Sequence, residues 1–276
     1  MTAGALAGLA IMIGSEAATI FRLEPFYSWN TPICWTGFIL FADSVVFRAR
    51  GRSWIRSAPR EFALLALASI PLWLVFEFYN LYLNNWNYTG LPENDWLRMF
   101  GYGWAFATIT PAIFEGAELI GLMWAPASTI RDPASAGSQI SGGRRSWSMA
   151  AGALMLIVPF AAPPGLARYL AAPVFLGFIF LLEPINRRLG AESLDRRRFA
   201  NLLLSGLLCG VLWEFWNFWA GAKWHYTVPI MEHLKIFEMP LPGYLGFPPF
   251  AVECFVMYVF VRALVAGPRA GRPIAL

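Results

Sequence analysis

Charge is what this chain has least of: only 14% of its 276 residues are Asp, Glu, Lys or Arg, where an ordinary soluble domain carries about 25%. With 58% hydrophobic and 16% aromatic residues, a water-soluble fold would expose more apolar surface than water tolerates. A soluble globular protein is excluded. Lysine and histidine are nearly missing. Lys223, Lys235, His225 and His233 all fall in one short polar stretch, so a histidine-box oxygenase lacks its ligands and no metal is expected. A Schiff-base lysine within an apolar helix is lacking too. Cys34, Cys209 and Cys254 lie singly in apolar runs, as small buried hydrophobes do, and they offer no disulfide framework. Neither a Gly-x-Gly-x-x-Gly turn nor a phosphate-binding loop ending in Gly-Lys-Ser/Thr occurs. No nucleotide site and no cofactor are indicated.

What the chain does have is long apolar runs. Six are clear, at about 32–48, 61–83, 99–124, 170–187, 199–220 and 244–266, and two weaker ones lie near 3–21 and 147–164. Each approaches the roughly 20 residues that a bilayer core requires. The first run contains Glu16 and has no basic flank before it, so it reads as a span rather than a signal peptide.

Arginine supports a count of eight. Clusters follow the second run (Arg48, Arg50, Arg52, Arg56, Arg60), the fourth (Arg131, Arg144, Arg145), the sixth (Arg187, Arg188, Arg196, Arg197, Arg198) and the last (Arg262, Arg269, Arg272). With eight spans all four clusters lie on one side, which the positive-inside rule makes cytoplasmic. Both termini are then cytoplasmic, the loops 84–98 and 221–243 face outward, and the expected location is a bacterial inner membrane. Basic clusters of this kind signal topology, so they are given no nucleic-acid role.

The chain also repeats itself. Phe76-Glu77-Phe78-Tyr79-Asn80 recurs as Trp213-Glu214-Phe215-Trp216-Asn217, and Trp86-Asn87-Tyr88-Thr89 as Trp224-His225-Tyr226-Thr227. Counted from each leading Trp, the Tyr is at +2, a Pro at +25 (Pro111, Pro249) and a Glu at +29 (Glu115, Glu253). Upstream, Gly37-Phe38-Ile39 with Asp43 matches Gly177-Phe178-Ile179 with Glu183. The expected fold is therefore an all-α polytopic membrane bundle of about eight transmembrane helices. They form two parallel four-helix repeats, 1–124 and 147–276, joined by a cytoplasmic linker over 125–146 and related by an axis along the membrane normal.

The repeat carries acids into apolar helices, where a carboxylate costs roughly 2.5–3.5 kcal/mol on insertion scales and normally faces the bundle interior. Glu77 with Asn80, and Glu214 with Asn217, share a helix face at three-residue spacing. Glu115 and Glu253 each follow a proline by one turn, where freed backbone carbonyls make a polar pocket. One reading makes these acids interhelical hydrogen-bond partners. The other makes them catalytic. Trp213 and Trp216 offer electron-rich ring faces that stabilise a carbocation without quenching it. Trp86, Tyr88, Trp224 and Tyr226 read either as an interfacial belt or as part of the same substrate site.

At Trp-x-Tyr, a short outward loop and a Pro-containing helix with an acid, the chain resembles the lycopene cyclase domain. The Trp213-Glu214-Phe215 stretch is similar to the Trp-Glu motif of integral-membrane meroterpenoid cyclases. The likeness covers mainly 73–118 and 210–258, and in place of the Pro-x-Glu-Glu typical of the first family this chain has Pro111…Glu115 and Pro249…Glu253. The resemblance implies a cofactor-independent isoprenoid or carotenoid cyclase, or a hydratase. Glu214 would protonate a polyene with Glu253 as its partner, Glu77 and Glu115 would form an equivalent second site, and Asn80 and Asn217 would orient the acids. The partners would be a hydrophobic polyprenoid or lipid and the surrounding membrane lipids. Association into a homo-oligomer or membrane complex stays open. The competing readings are a non-catalytic pigment-, quinone- or lipid-binding subunit of a membrane complex and a proton-coupled transporter.

Overall fold

The computed structural model of the chain describes residues 2–123 and 142–267. Most of the expected linker, 125–146, and the tail arginines Arg269 and Arg272 lie outside the described residues. Among the described residues eight helices of 18 residues or more make up the bundle: α1 (Ala3–Ile20), α2 (Phe26–Arg50), α4 (Pro59–Leu83), α5 (Asp95–Gly121), α6 (Gly142–Ala161), α8 (Ala171–Arg188), α9 (Arg196–Trp219) and α10 (Phe247–Ala266). Two single-turn helices, α3 (Trp54–Ser57) and α7 (Pro164–Ala167), bridge neighbours. Five segments are long and apolar enough to cross a membrane: Ala3–Ile20, Phe26–Arg50, Pro59–Leu83, Arg196–Trp219 and Leu241–Val265. The fold is all-α and of membrane-spanning character.

Local chemistry sets the helix ends. Thr2, Asn94 and Asp195 cap α1, α5 and α9 with side-chain oxygens that accept first-turn N–H groups, satisfying donors the helix leaves free. Gly51 and Asn84 end α2 and α4 in the left-handed region, at φ 73° and φ 50°, a conformation that Gly and Asn adopt most readily. From α4 the Ser69 hydroxyl reaches α5, donating to the Phe106 carbonyl at 2.6 Å and accepting from Thr110 N at 3.0 Å. It thus bridges two groups one turn apart immediately before Pro111, where a proline opens the ladder.

Helix pairs approach closely where glycines meet. A Cβ on Gly8 would lie 2.4 Å from the Gly37 carbonyl between α1 and α2, and a Cβ on Gly152 would lie 2.7 Å from the Gly177 carbonyl between α6 and α8. Small residues permit such backbone contact in membrane bundles. One end of the bundle is tied by ion pairs, including Arg50–Glu118, Arg187–Glu183, Arg198–Glu192 and Arg262–Glu61. At that end Asp43 accepts the Ile55 N–H at 2.9 Å and Glu183 accepts the Leu194 N–H at 3.3 Å.

The opposite end carries strands. β1 (Trp86–Thr89) pairs antiparallel with β2 (Lys223–Tyr226) in the register Trp86↔Tyr226, Asn87↔His225, Tyr88↔Trp224 and Thr89↔Lys223. The two Trp-x-Tyr segments thus pair with one another, each Trp opposite the other's Tyr. A second short ribbon joins β3 (Lys235–Ile236) and β4 (Met239–Pro240), and a 3-10 turn over Leu241–Gly246 leads into α10.

Candidate functional site

Beneath the β1–β2 ribbon lies a cavity of about 420 Å³, lined from α2, α4, α5, α8, α9, α10 and both strands. Its volume falls in the roughly 300–1,000 Å³ range of small-molecule sites. Thirteen of the lining residues are aromatic: Trp29, Trp35, Trp73, Trp86, Tyr88, Tyr102, Phe106, Phe175, Trp213, Trp224, Tyr226, Phe247 and Phe250. Phe250 packs edge-on against Trp73 at 5.8 Å between ring centroids, Trp73 lies 6.0 Å from Trp213, and Trp35 packs edge-on against Trp213 at 5.6 Å. Among the described residues no Asp or Glu lines the cavity.

The acids stand one layer behind. Tyr88, on the cavity wall, donates its hydroxyl to Glu77, and Tyr226, its counterpart in the second repeat motif, donates to Glu214 Oε1 at 3.0 Å. Glu77 Oε1 also accepts from Trp73 Nε1 at 2.8 Å, and the Trp86 indole lies 3.3 Å from both carboxyl oxygens. Glu214 is fully buried, and its Oε2 has no hydrogen-bond partner. Burial and the adjacent carboxyl group push the Tyr88 and Tyr226 phenols well above their ordinary range. Both hydroxyls therefore keep their protons at neutral pH.

Asn80 and Asn217 do different work from that expected. Each stands in the last turn of its helix, where the chain leaves for a strand, and there its amide reaches strand backbone instead of the acid one turn earlier. Asn80 donates to the Trp86 carbonyl at 2.8 Å and accepts from Asn85 N and Trp86 N. Asn217 donates to the Trp224 carbonyl at 2.9 Å and accepts from Trp224 N at 2.9 Å. They clamp the ribbon that carries the cavity tyrosines.

Of the other residues singled out in the sequence, Trp86, Tyr88, Trp213, Trp224 and Tyr226 line the cavity together. Trp216 stands outside it and packs edge-on against Trp35 at 4.8 Å. Glu115 and Glu253 are fully buried and off the cavity. Glu253 Oε1 accepts the Phe178 N–H of α8 at 3.4 Å, and neither Glu115 oxygen has a hydrogen-bond partner. Glu214 and Glu253 thus engage different neighbours.

Sequence reasoning missed Trp35 and Phe250 as wall residues. Trp35 carried a signal: it precedes Gly37 by two residues as Phe175 precedes Gly177, and Phe175 stacks on Phe76 at 5.3 Å as Trp35 packs on Trp213.

Among the described residues no group of three or more His, Cys, Asp or Glu side chains is placed to hold a metal ion. Compared with family models, curated proteins and solved structures, the chain matches none.

Proposed function

We propose that this protein is an integral-membrane isoprenoid cyclase or hydratase that protonates a polyene in the aromatic cavity. The observation that carries this reading is the doubled arrangement of a cavity tyrosine backed by a glutamate, Tyr226 on the fully buried Glu214 and Tyr88 on the half-buried Glu77. The site holds the parts that acid-initiated cyclisation needs: an apolar container, a proton source that is not a free anion, and ring faces for the cation.

In the forward step the hydrogen bond of the pair reverses: Glu214, protonated on the oxygen that faces the phenol, gives that proton to the Tyr226 oxygen while the Tyr226 proton, turned toward the cavity, passes to an alkene carbon. The alkene π pair forms the new C–H bond, and the resulting cation lies against the Trp faces. An internal double bond then attacks it and closes a ring, or water adds. The final C–H or O–H proton leaves to the Glu77–Tyr88 pair. General acid–base catalysis of this kind contributes about 10²–10⁴-fold.

The reading includes a topology. We take the bundle as eight spans in two parallel four-helix units, with both termini and the arginine-rich end cytoplasmic and the β1–β2 ribbon outward. It is supported by matched details in the two halves: Gly8 on Gly37 and Gly152 on Gly177, Asp43 with Ile55 and Glu183 with Leu194, and strands that pair motif to motif.

The test is mass analysis of organic extracts from membranes expressing the chain, with and without a polyprenoid supply. A product isomeric with the polyene, or heavier by one water, formed by the native chain and not by Glu214→Gln, supports the reading. Retention of unchanged polyene by both proteins points instead to a non-catalytic binding subunit.

A further inference from the structure

Asp43 and Glu115 are buried acids that the cavity chemistry does not use, and neither lines the cavity. They stand on α2 and α5, which run side by side and are tied at two levels, by Trp104 Nε1 donating to Thr36 Oγ1 at 3.0 Å and by the ion pair Arg50–Glu118. Asp43 is two turns from both Thr36 and Arg50, and Glu115 is one turn before Glu118, so both carboxyls fall between those ties. A third side closes on them. Phe114 packs on Trp54 at 5.8 Å between ring centroids, and Ile55, next to Trp54, donates its N–H to Asp43 Oδ1 at 2.9 Å. Across this contact the Glu115 carboxyl faces that of Asp43.

Two carboxylates are acceptors only, so such a contact becomes a hydrogen bond when one of them carries a proton. Their surroundings decide which. Asp43 receives the Ile55 N–H and lies 3.7 Å from the Arg56 guanidinium. Glu115 has no donor at either oxygen, and the charges acting on it are Asp43 and, on its own helix, Glu118, which Arg50 already pairs. The other helices packed on α5 offer it nothing: Ser69 of α4 serves Phe106 and Thr110, Ser205 and Cys209 of α9 turn to the Ile113 and Ala112 carbonyls, and Cys254 of α10 meets Thr110. A carboxylate buried without a partner is among the costliest groups a fold can hold.

We infer that Asp43 and Glu115 form a proton-binding site, with one proton held on Glu115 and donated to the Asp43 carboxylate. The shared proton removes the repulsion that two anions in contact would suffer. The equivalent residues of the second half build no such pair. Glu183 is held by Arg187 and the Leu194 N–H, and Glu253 turns to the Phe178 N–H. Proton binding of this kind thus belongs to the first half, and it stands whatever the cavity holds.

Infrared difference spectroscopy of the purified protein in lipid at neutral pH, in H2O and D2O, tests this by the C=O stretch of protonated carboxyl groups. Glu115→Gln should lose one such band. Asp43→Asn should keep that band and move it to higher wavenumber, because an amide is a weaker acceptor than a carboxylate. Aspartate labelled isotopically at its side-chain carboxyl carbon gives a reading on the unsubstituted chain, so the test survives if a variant fails to fold. No protonated-carboxyl band should move with that label, since Asp43 is the buried aspartate among the described residues.

A Glu115→Gln spectrum that loses no protonated-carboxyl band would overturn the site. A band that moves with the aspartate label would place the proton on Asp43 and overturn the assignment. An unshifted band in Asp43→Asn would overturn the pairing and leave Glu115 a solitary acid.

Discussion

Glu77 and Glu214 hold equivalent positions in the two repeat motifs, yet their surroundings differ: Glu214 is fully buried and Glu77 half-buried, and the donors around them are not the same. One turn before Glu77 stands Trp73, whose indole donates to it at 2.8 Å. One turn before Glu214 stands Gly210, where a Cβ would lie 2.3 Å from the Phe247 ring, so no donor of any size fits. Glu77 is held by Trp73, Trp86 and Tyr88, whereas Glu214 accepts from Tyr226 and keeps an oxygen without a partner. The same scaffold thus yields one acid fastened by three donors and one that accepts from Tyr226 with its other oxygen unpaired. In the proposed mechanism the second is the acid and the first receives the closing proton.

The largest expected effect follows directly. Glu214→Gln should lower turnover by about 10²-fold or more with little change in melting temperature, and Tyr226→Phe should lower it comparably by cutting the path between acid and cavity. Product mass per unit protein checks both. Comparable loss in Glu77→Gln alone, with Glu214→Gln active, would reverse the assignment of the two halves.

Stability should differ the other way. Glu77→Leu strands three donors and Glu214→Leu strands one, and each buried donor left unpaired costs about 1–3 kcal/mol. Thermal melts in detergent should therefore show the greater loss for Glu77→Leu. Trp73→Phe, which removes one donor from Glu77 while keeping a ring on the wall, should narrow that difference.

A smaller contrast concerns the ribbon clamps. Asn80→Ala removes three hydrogen bonds to backbone and Asn217→Ala two, at about 1 kcal/mol each. Hydrogen exchange of the β1–β2 amides should rise in both variants, and more in the first.

The smallest effect is a pH dependence at Glu238. Burial works to raise the Glu238 carboxyl, but hydrogen bonds from Lys223 and His225 outweigh it and hold the group below its ordinary value of 4.5. A carboxyl lowered in the folded state contributes stability above that value and loses it as pH falls through the folded value. Melting temperature should therefore drop on acidification below about pH 4.5, and Glu238→Gln should flatten that part of the profile.

The helices were legible because hydropathy is local. The six clear runs, and both weaker ones, fall on helices whose ends lie within a few residues of those expected, apart from about five to six at the start of the second and the weaker 147–164 run, and the repeat was legible because spacing survives where identity does not. Trp86–Thr89 and Lys223–Tyr226 were not legible as strands. Each is four residues long, and its partner lies more than a hundred residues away in sequence, so no local pattern announces the pairing. That omission hid the tyrosines' role as partners of the acids, since only the ribbon turns them toward Glu77 and Glu214. It also misplaced the asparagines, whose helical spacing from the acids was read correctly but whose position at the helix end sends the amide to the strand. Glu115 and Glu253 share a motif with the cavity, yet they stand off its wall.

The central claim is that an acid–tyrosine pair protonates a prenoid held in the cavity. Incubating purified protein with its polyene in D2O, and reading the product by mass spectrometry, tests it most directly. The account predicts one carbon-bound deuterium per protonation, absent in Glu214→Gln. A product formed without carbon-bound deuterium, or labelled equally by Glu214→Gln, would contradict it.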